Sequence, residues 1–219
     1  MSTNLSTVID SFTGLDVLVI GDAMLDSYME GTAGGLCREA PVPVVTLSCR
    51  VDVPGGAANT AANVRALGGR VRLLAAVGDD PEAAMLRRAL ASRGVAADHL
   101  LVRPARQTLA KHRVVAASQV LVRFDQGSRA PIDGSAERAL IERLAELFPA
   151  CDAVVISDYD YGVLTPRVIR AIARLQAETP RVLVADSRRL AAYRGVGVTA
   201  VKPNYRETLD LLGDRTPAD

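Results

Sequence analysis

The sequence has almost no net charge, few cysteines and no long apolar stretch. Its 26 Lys and Arg oppose 25 Asp and Glu in 219 residues, so we expect no electrostatic attraction to nucleic acid or to an acidic membrane surface. Three cysteines without C-x-x-C spacing predict neither a disulfide framework nor a zinc site, and they favour a reducing compartment. No apolar run approaches the roughly 20 residues of a membrane-spanning helix. The sequence therefore predicts a soluble cytoplasmic protein with a small ligand.

Short apolar runs alternate with segments of helical period. The apolar runs occupy residues 16–20, 70–77, 152–157 and 181–185, and the helical segments occupy residues 56–67, 81–93, 135–147 and 166–178. Continuous apolar runs are typical of strands that are buried on both faces. Neither a linker nor an internal repeat divides the chain. We therefore predict an α/β fold in one domain, residues 1–219, with a mainly parallel sheet and helices on both faces.

Two stretches break this alternation. Residues 41–49 form one β-rich run, and residues 108–116 and 119–125 form a pair of runs around a short polar turn, which is typical of an antiparallel hairpin. An accessory β-sheet beside the main one would accommodate them. We expect it to act as a lid built from segments 28–51 and 105–126.

Acidic residues follow three of the predicted strands. Asp22 and Asp26 are expected in the loop after the first, Asp158 follows the third, and Asp186 follows the fourth. Ligands of open α/β sheets bind outside the carboxyl ends of the strands, where carboxylates could hold sugar hydroxyl groups. The alternative is that these aspartates are ordinary turn residues.

A glycine pair opens the first helical segment. Gly55 and Gly56 lack Cβ atoms, so backbone N–H groups at the positive end of the helix dipole could approach a ligand, with Asn59 on the same helix. The alternative is a structural turn before a packed helix.

Basic residues mark the predicted hairpin. Lys111 and Arg113 must point to the same face of a strand and suit a phosphate, and Arg123 lies on the partner strand. A charged edge strand is the alternative. Near residue 200, Asn204 and Glu207 have the spacing of a capping box and could also order hydrated Mg²⁺.

Five motifs occur in order, Gly21-Asp22 to Asp26, Glu39 to Val45, Pro54 to Asn59, Ser157 to Tyr159 and Asn204 to Glu207. Together they resemble the ribokinase-like (PfkB) carbohydrate kinases, and within that family the kinases of D-glycero-D-manno-heptose 7-phosphate. The resemblance implies a ribokinase-like fold with a β-sheet lid, ATP as co-substrate with Mg²⁺, phosphorylation of the anomeric hydroxyl group, and a homodimer formed through the lid.

The resemblance also implies roles for individual residues. It implies substrate binding by Asp22, Asp26, Gly55, Gly56, Asn59, Lys111, Arg113, Arg123 and Asp158. It implies contacts to nucleotide and phosphates by Asp186, Arg188, Lys202, Asn204 and Glu207. Of these, Asn204 and Glu207 would order Mg²⁺ through water.

The sequence departs from the family in three places. The late Gly-Ala-Gly-Asp turn, which supplies the catalytic aspartate and an anion hole, is absent. Tyr161 replaces a lysine of the heptose kinases, and Ser187-Arg188 replaces Pro-Lys. We therefore expect the N-terminal portion of a kinase, without the C-terminal part and without independent activity. The alternatives are a non-catalytic sugar-phosphate binding or regulatory protein and a PfkB kinase for another sugar phosphate.

Overall fold

A computed structural model describes residues 5–213. The strands are β1 (Asp16–Gly21), β2 (Ala23–Leu36), β3 (Pro43–Gly56), β4 (Arg70–Val77), β5 (Leu100–Val102), β6 (Ala110–Ala116), β7 (Gln119–Gln126), β8 (Ala153–Asp158), β9 (Val182–Ser187) and β10 (Ala200–Val201). The helices are α1 (Leu5–Asp10), α2 (Ala57–Ala66), α3 (Pro81–Ala91), α4 (Gly134–Leu147), α5 (Pro166–Glu178) and α6 (Tyr205–Leu212), with 3-10 turns at Phe148–Ala150 and Leu190–Tyr193.

Six strands form the main sheet, in the order β10-β9-β8-β1-β4-β5, and every pair is parallel. Alternate residues of its central strands enter two separate apolar cores. Leu18 and Ile20 pack on the side that holds α4 and α5, whereas Val19 packs on the side that holds α2 and α3. This is the predicted three-layer α/β arrangement, and it explains why the strands read as continuous apolar runs.

Helices α3 and α5 each begin with a capping side chain that is followed by proline. Asp80 accepts a hydrogen bond from Ala83 N at 2.8 Å, and Thr165 does the same for Val168 N at 3.2 Å. In both helices proline occupies the first helical position, where its missing N–H group costs nothing. The predicted segments 81–93 and 166–178 are therefore helical, the first ending earlier, at Ala91.

Four strands form the small sheet, in the order β3-β2-β6-β7, with β2 parallel to β6 and the other pairs antiparallel. The predicted hairpin is present as β6 and β7. Two predictions are wrong in detail. Residues 23–36 form a long strand, so Asp26 lies within β2 and not in a loop, and β3 runs through Gly55 to Gly56, so this glycine pair ends a strand before α2 begins.

The two sheets join at Gly21. Its φ is +153°, and a Cβ at this position would overlap the carbonyl oxygen of Ser157 in the neighbouring strand β8. Only glycine allows β1 to lie this close to β8 while the chain turns into β2. The residues that follow β1 and β8 are consequently brought together.

One edge of the main sheet is exposed. Helix α6 has no buried residue, and Val201, Tyr205 and Leu212 are all exposed. In the described range, 5–213, we find no helix with the length and apolarity needed to cross a membrane.

Candidate functional site

Asp22 is completely buried between β1 and β2. Its Oδ2 accepts hydrogen bonds from the backbone N–H groups of Tyr159 at 2.9 Å and Tyr161 at 3.1 Å, and its Oδ1 accepts one from Val163 at 3.2 Å. Burial raises the pKa of this carboxyl group, although the three N–H groups act in the opposite direction. This geometry corrects the prediction of a sugar contact, because Asp22 instead supports the loop that follows β8.

Asp158 is also a buried support and not an exposed ligand. It accepts hydrogen bonds from Tyr193 Oη at 2.8 Å and Ser187 Oγ at 2.9 Å, and Arg189 lies 3.3 Å away. Burial raises the pKa of the Tyr193 hydroxyl, and the negative charge of Asp158, which accepts its hydrogen bond, raises it further. The side chain that was predicted to contact substrate therefore ties β8 to the segment after β9.

Arg106 was missed by the sequence analysis. Its buried guanidinium donates to the carbonyl oxygens of Tyr161 at 2.8 Å, Ala130 at 3.0 Å and Ser128 at 3.1 Å. Burial lowers its pKa and the nearby charge of Asp22 opposes that effect. Arg106 thus fixes the loop after β8 against the segment that follows β7.

The rings of Tyr159 and Tyr161 stack with their centroids 6.3 Å apart. Tyr161 forms a small apolar cluster with Met24 and Leu109, and Tyr159 packs against this cluster. Lys111 Nζ is 5.6 Å from the Tyr159 centroid and 5.8 Å from that of Tyr161. We call Tyr159 and Tyr161 the tyrosine pair. It connects the small sheet to the carboxyl ends of the main sheet. The sequence marked Tyr159 within a motif and Tyr161 as a departure from the family, but it did not predict that the two rings meet.

The small sheet presents a polar face to the tyrosine pair. Register places Asp26 beside Lys111 and Tyr28 beside Arg113. The predicted common face of Lys111 and Arg113 is therefore confirmed. Arg113, however, donates to Asp26 Oδ1 at 2.8 Å and covers the Tyr28 ring at 5.0 Å, so the adjacent carboxylate already balances its charge.

Glycines make room for Asp26. A Cβ at Gly55 would lie 2.5 Å from Asp26 Oδ2, and one at Gly56, whose φ is +56°, would overlap the carbonyl oxygen of Asp22. The half-buried Asp26 carboxylate therefore reaches the cleft beside bare backbone, where a hydroxyl group could bind. Asn59 lies on α2 with an exposed side chain.

Arg123 is an exposed residue of β7. It donates to both oxygens of Asp125, at 2.8 and 2.7 Å, and this pairing lowers the pKa of Asp125. The arrangement agrees with the alternative of a charged edge strand as well as with substrate contact.

A cavity of about 220 Å³ lies on the other side of the tyrosine pair. Its lining is Asp158, Tyr159, Asp186, Arg188, Lys202, Asn204 and Glu207. The structure thus brings together all the residues that were predicted to contact nucleotide and phosphates. Lys202 and Asp186 form an ion pair at 3.2 Å.

The capping box at the start of α6 is present. Asn204 Oδ1 accepts from Glu207 N, and Glu207 Oε2 accepts from Asn204 N, both at 2.9 Å. Over residues 5–213 we find no group of three or more His, Cys, Asp or Glu that could hold a metal ion. One Glu207 oxygen has no part in the capping box. This chemistry fits Mg²⁺ that keeps its water and phosphate ligands, not direct chelation by protein.

The arrangement provides two binding regions that share one wall. Asp26, Lys111 and bare backbone lie on the side of the small sheet, and the cavity at α6 lies on the other side. Tyr159 borders both, since its ring contacts Lys111 and also lines the cavity. Two ligands could therefore meet at the tyrosine pair.

Comparisons with known proteins agree with this geometry. Residues 15–219 match the family described as pfkB family carbohydrate kinase. The chain is 40% identical over 206 residues to the Bifunctional protein HldE of Caulobacter vibrioides and 41% identical over 208 residues to that of Azorhizobium caulinodans. These alignments cover 93% of this chain but only 41% and 43% of the relatives.

Solved structures share the fold. The tetrameric inhibited form of phosphofructokinase-2 from Escherichia coli superposes with a TM-score of 0.71 at 20% identity, covering 93% of this chain and 66% of that one. Arabidopsis thaliana ribokinase, complexed with ribose and ATP, gives 0.63 at 14% identity and covers 93% and 65%. The chain thus spans less than two thirds of these proteins.

Proposed function

Because the chain belongs to the pfkB family of carbohydrate kinases, we propose that it is the N-terminal portion of one kinase domain, residues 1–219, with segments 28–51 and 105–126 as the lid. The full-length protein would transfer a phosphoryl group from ATP to the anomeric hydroxyl group of D-glycero-D-manno-heptose 7-phosphate. The motif resemblance and the two HldE relatives support this substrate class.

One observation carries the proposal, namely that Tyr159 forms the wall between the two binding regions. Its ring lies 5.6 Å from Lys111 on the small sheet and 5.7 Å from the Arg188 guanidinium at the cavity. A kinase has to place an acceptor hydroxyl in line with a phosphoryl donor, and most of its catalysis is positioning and charge stabilisation. A shared wall between an acceptor region and a phosphate region meets that need.

In this proposal Asp26 and the backbone at Gly55 hold the sugar, while Arg113 orients the Asp26 carboxylate. Asn204 and Glu207 would hold Mg²⁺ through water, and the metal would neutralise charge on the phosphates. Arg188 and Lys202 would contact the nucleotide phosphates. The three free cysteines of the described range and the use of ATP favour a cytoplasmic location.

The test uses full-length protein with Mg·ATP and heptose 7-phosphate, with ADP release and the phosphorus NMR spectrum of the product as readouts. We expect a product with a new anomeric phosphate. Asp26→Asn should raise KM or lower kcat, whereas Asp98→Asn, a change at an exposed residue, should not. Binding of heptose 7-phosphate without ADP release would favour the non-catalytic alternative. Turnover of a different sugar phosphate only would favour another pfkB kinase.

We also propose a homodimer through the small sheet. Apolar side chains are exposed along both of its edge strands, among them Val44, Leu47, Val120 and Val122. Exposed apolar patches of this kind mark interaction surfaces. Leu47→Glu should shift the sedimentation coefficient of the full-length protein towards that of a smaller species. Leu67→Glu, at a comparably exposed leucine at the end of α2, is the matched control, and equal behaviour of the two variants contradicts the proposal.

A further inference from the structure

Arg129 brings an additional cation to the tyrosine pair. Its guanidinium carbon lies 5.1 Å from the Tyr161 centroid, and that of Arg188 lies 5.6 Å from the same ring. With Lys111, three cations from three separate segments therefore converge: strand β6, the loop after β7 and the loop after β9. Aromatic faces attract cations, and this attraction offsets the mutual repulsion of the like charges.

The position of Arg129 is held by buried contacts. Arg106 donates to the carbonyl oxygens of Ser128 and Ala130, the residues on either side of Arg129, and to that of Tyr161. One buried guanidinium thus fixes both the cation and the ring beneath it. Arg129 and Lys111 also border the same small hollow, together with Tyr161. Hydrogen bonds from the buried Arg106 therefore hold the backbone on both sides of Arg129 and the backbone of Tyr161 in place.

The ion pairs distinguish the three cations at the tyrosine pair from Arg113, the arginine that the sequence predicted to bind a phosphate. Arg113 is paired with Asp26, so it has no spare charge for a phosphate. Asp125 contacts Arg129 at 3.0 Å, but Arg123 already occupies both of its oxygens. Within residues 5–213, neither Lys111 nor Arg188 forms an ion pair. Positive charge is therefore in excess at the tyrosine pair and balanced at Asp26.

The geometry points to Arg129 as a specificity-determining residue that, together with Lys111, binds the phosphate that the sugar substrate already carries. This inference rests on the proposed function and deepens it. A guanidinium over a ring keeps its N–H groups at its edge, where they can reach a ligand. One NH₂ group of Arg129 donates to Asp125 at 3.0 Å, and the remaining N–H groups can match the oxygen spacing of a phosphate in a bidentate contact. A lysine over the same ring would supply charge but not the paired hydrogen bonds.

The test compares Arg129→Gln with wild type in the full-length protein, using heptose 7-phosphate and the unphosphorylated heptose as substrates. A hydrogen-bonded contact to a charged group corresponds to about a 10- to 100-fold rise in KM for the phosphorylated sugar. We expect kcat to change little and kcat/KM for the unphosphorylated heptose to stay the same. Arg129→Lys should recover part of the loss. Arg170→Gln removes an exposed arginine of α5 and is the matched control for net charge.

The outcomes are distinct for the two proposals. An unchanged KM in Arg129→Gln, or an equal loss with both sugars, overturns the role of Arg129 while the kinase activity stands. Absence of turnover in wild type refutes the proposed function instead. In that case the affinity for inorganic phosphate, measured by titration calorimetry, tests the role of Arg129. Weaker binding to Arg129→Gln than to Arg170→Gln supports a phosphate site at the tyrosine pair. Equal binding to the two variants overturns it.

Discussion

Replacing Asp22 by Asn tests whether this carboxylate holds the loop after β8. The three backbone N–H groups that reach Asp22 belong to Tyr159, Tyr161 and Val163. An Asn side chain offers a single oxygen. If that oxygen takes the place of Oδ2, the amide NH₂ group faces the N–H of Val163, and two donors then oppose each other in a buried site.

The expected cost of Asp22→Asn is about 1–3 kcal/mol, the penalty for leaving one buried donor unsatisfied. That is a substantial part of the roughly 5–15 kcal/mol that stabilises a domain. Burial raises the pKa of Asp22 in the folded chain, so the folded chain binds more protons than the unfolded chain between the unfolded and the raised pKa. The contribution of Asp22 to stability is therefore fully present in acid and falls as pH rises through that window.

Because Asn does not titrate, the difference in unfolding free energy between wild type and Asp22→Asn should be larger near the pKa of an unfolded aspartate, about 4, than at neutral pH. Urea unfolding followed by circular dichroism measures it, with Asp98→Asn as an exposed control. A variant as stable as wild type would refute the hydrogen-bond argument. A difference that shrinks in acid would show instead that the N–H donors outweigh burial and hold the pKa of Asp22 low.

Three further predictions concern the fold, capping and thiol reactivity. Gly21→Ala should prevent soluble expression or lower Tm strongly, because the added methyl group would overlap Ser157 O; a Tm equal to that of wild type contradicts this. Asn204→Ala should destabilise the start of α6 by about 1 kcal/mol, seen as faster amide hydrogen exchange there, and unchanged exchange would disprove the capping role. Cys49 is exposed and should react with a thiol reagent in the native protein. Cys151 should react only on unfolding, because it is buried and burial raises its pKa; equal rates for the two thiols would be inconsistent with the structure.

Local chemistry allowed much of the fold to be predicted. Proline after Asp80 and after Thr165 marks two helix starts, and the spacing of Asn204 and Glu207 predicts the capping box that the structure contains. These signals involve residues within one helical turn, so no distant contact is needed to interpret them. The long strand β2 was missed because its parallel partner β6 lies far along the chain, after β4, α3 and β5, and because the outer half of β2 is too polar to resemble a buried strand.

For the site, the residue types at the ends of the strands and on the hairpin can be read from the chain alone. Which of these residues face the cleft depends on how the chain folds. Asp22 and Asp26 lie four positions apart, yet the first is enclosed by N–H groups that come more than 130 residues later, whereas the second stays beside open backbone. Arg113 is paired with a carboxylate, while Arg129, which no motif marks, lies over Tyr161. Burial and charge pairing depend on groups brought together by folding, and a local pattern contains no information about them.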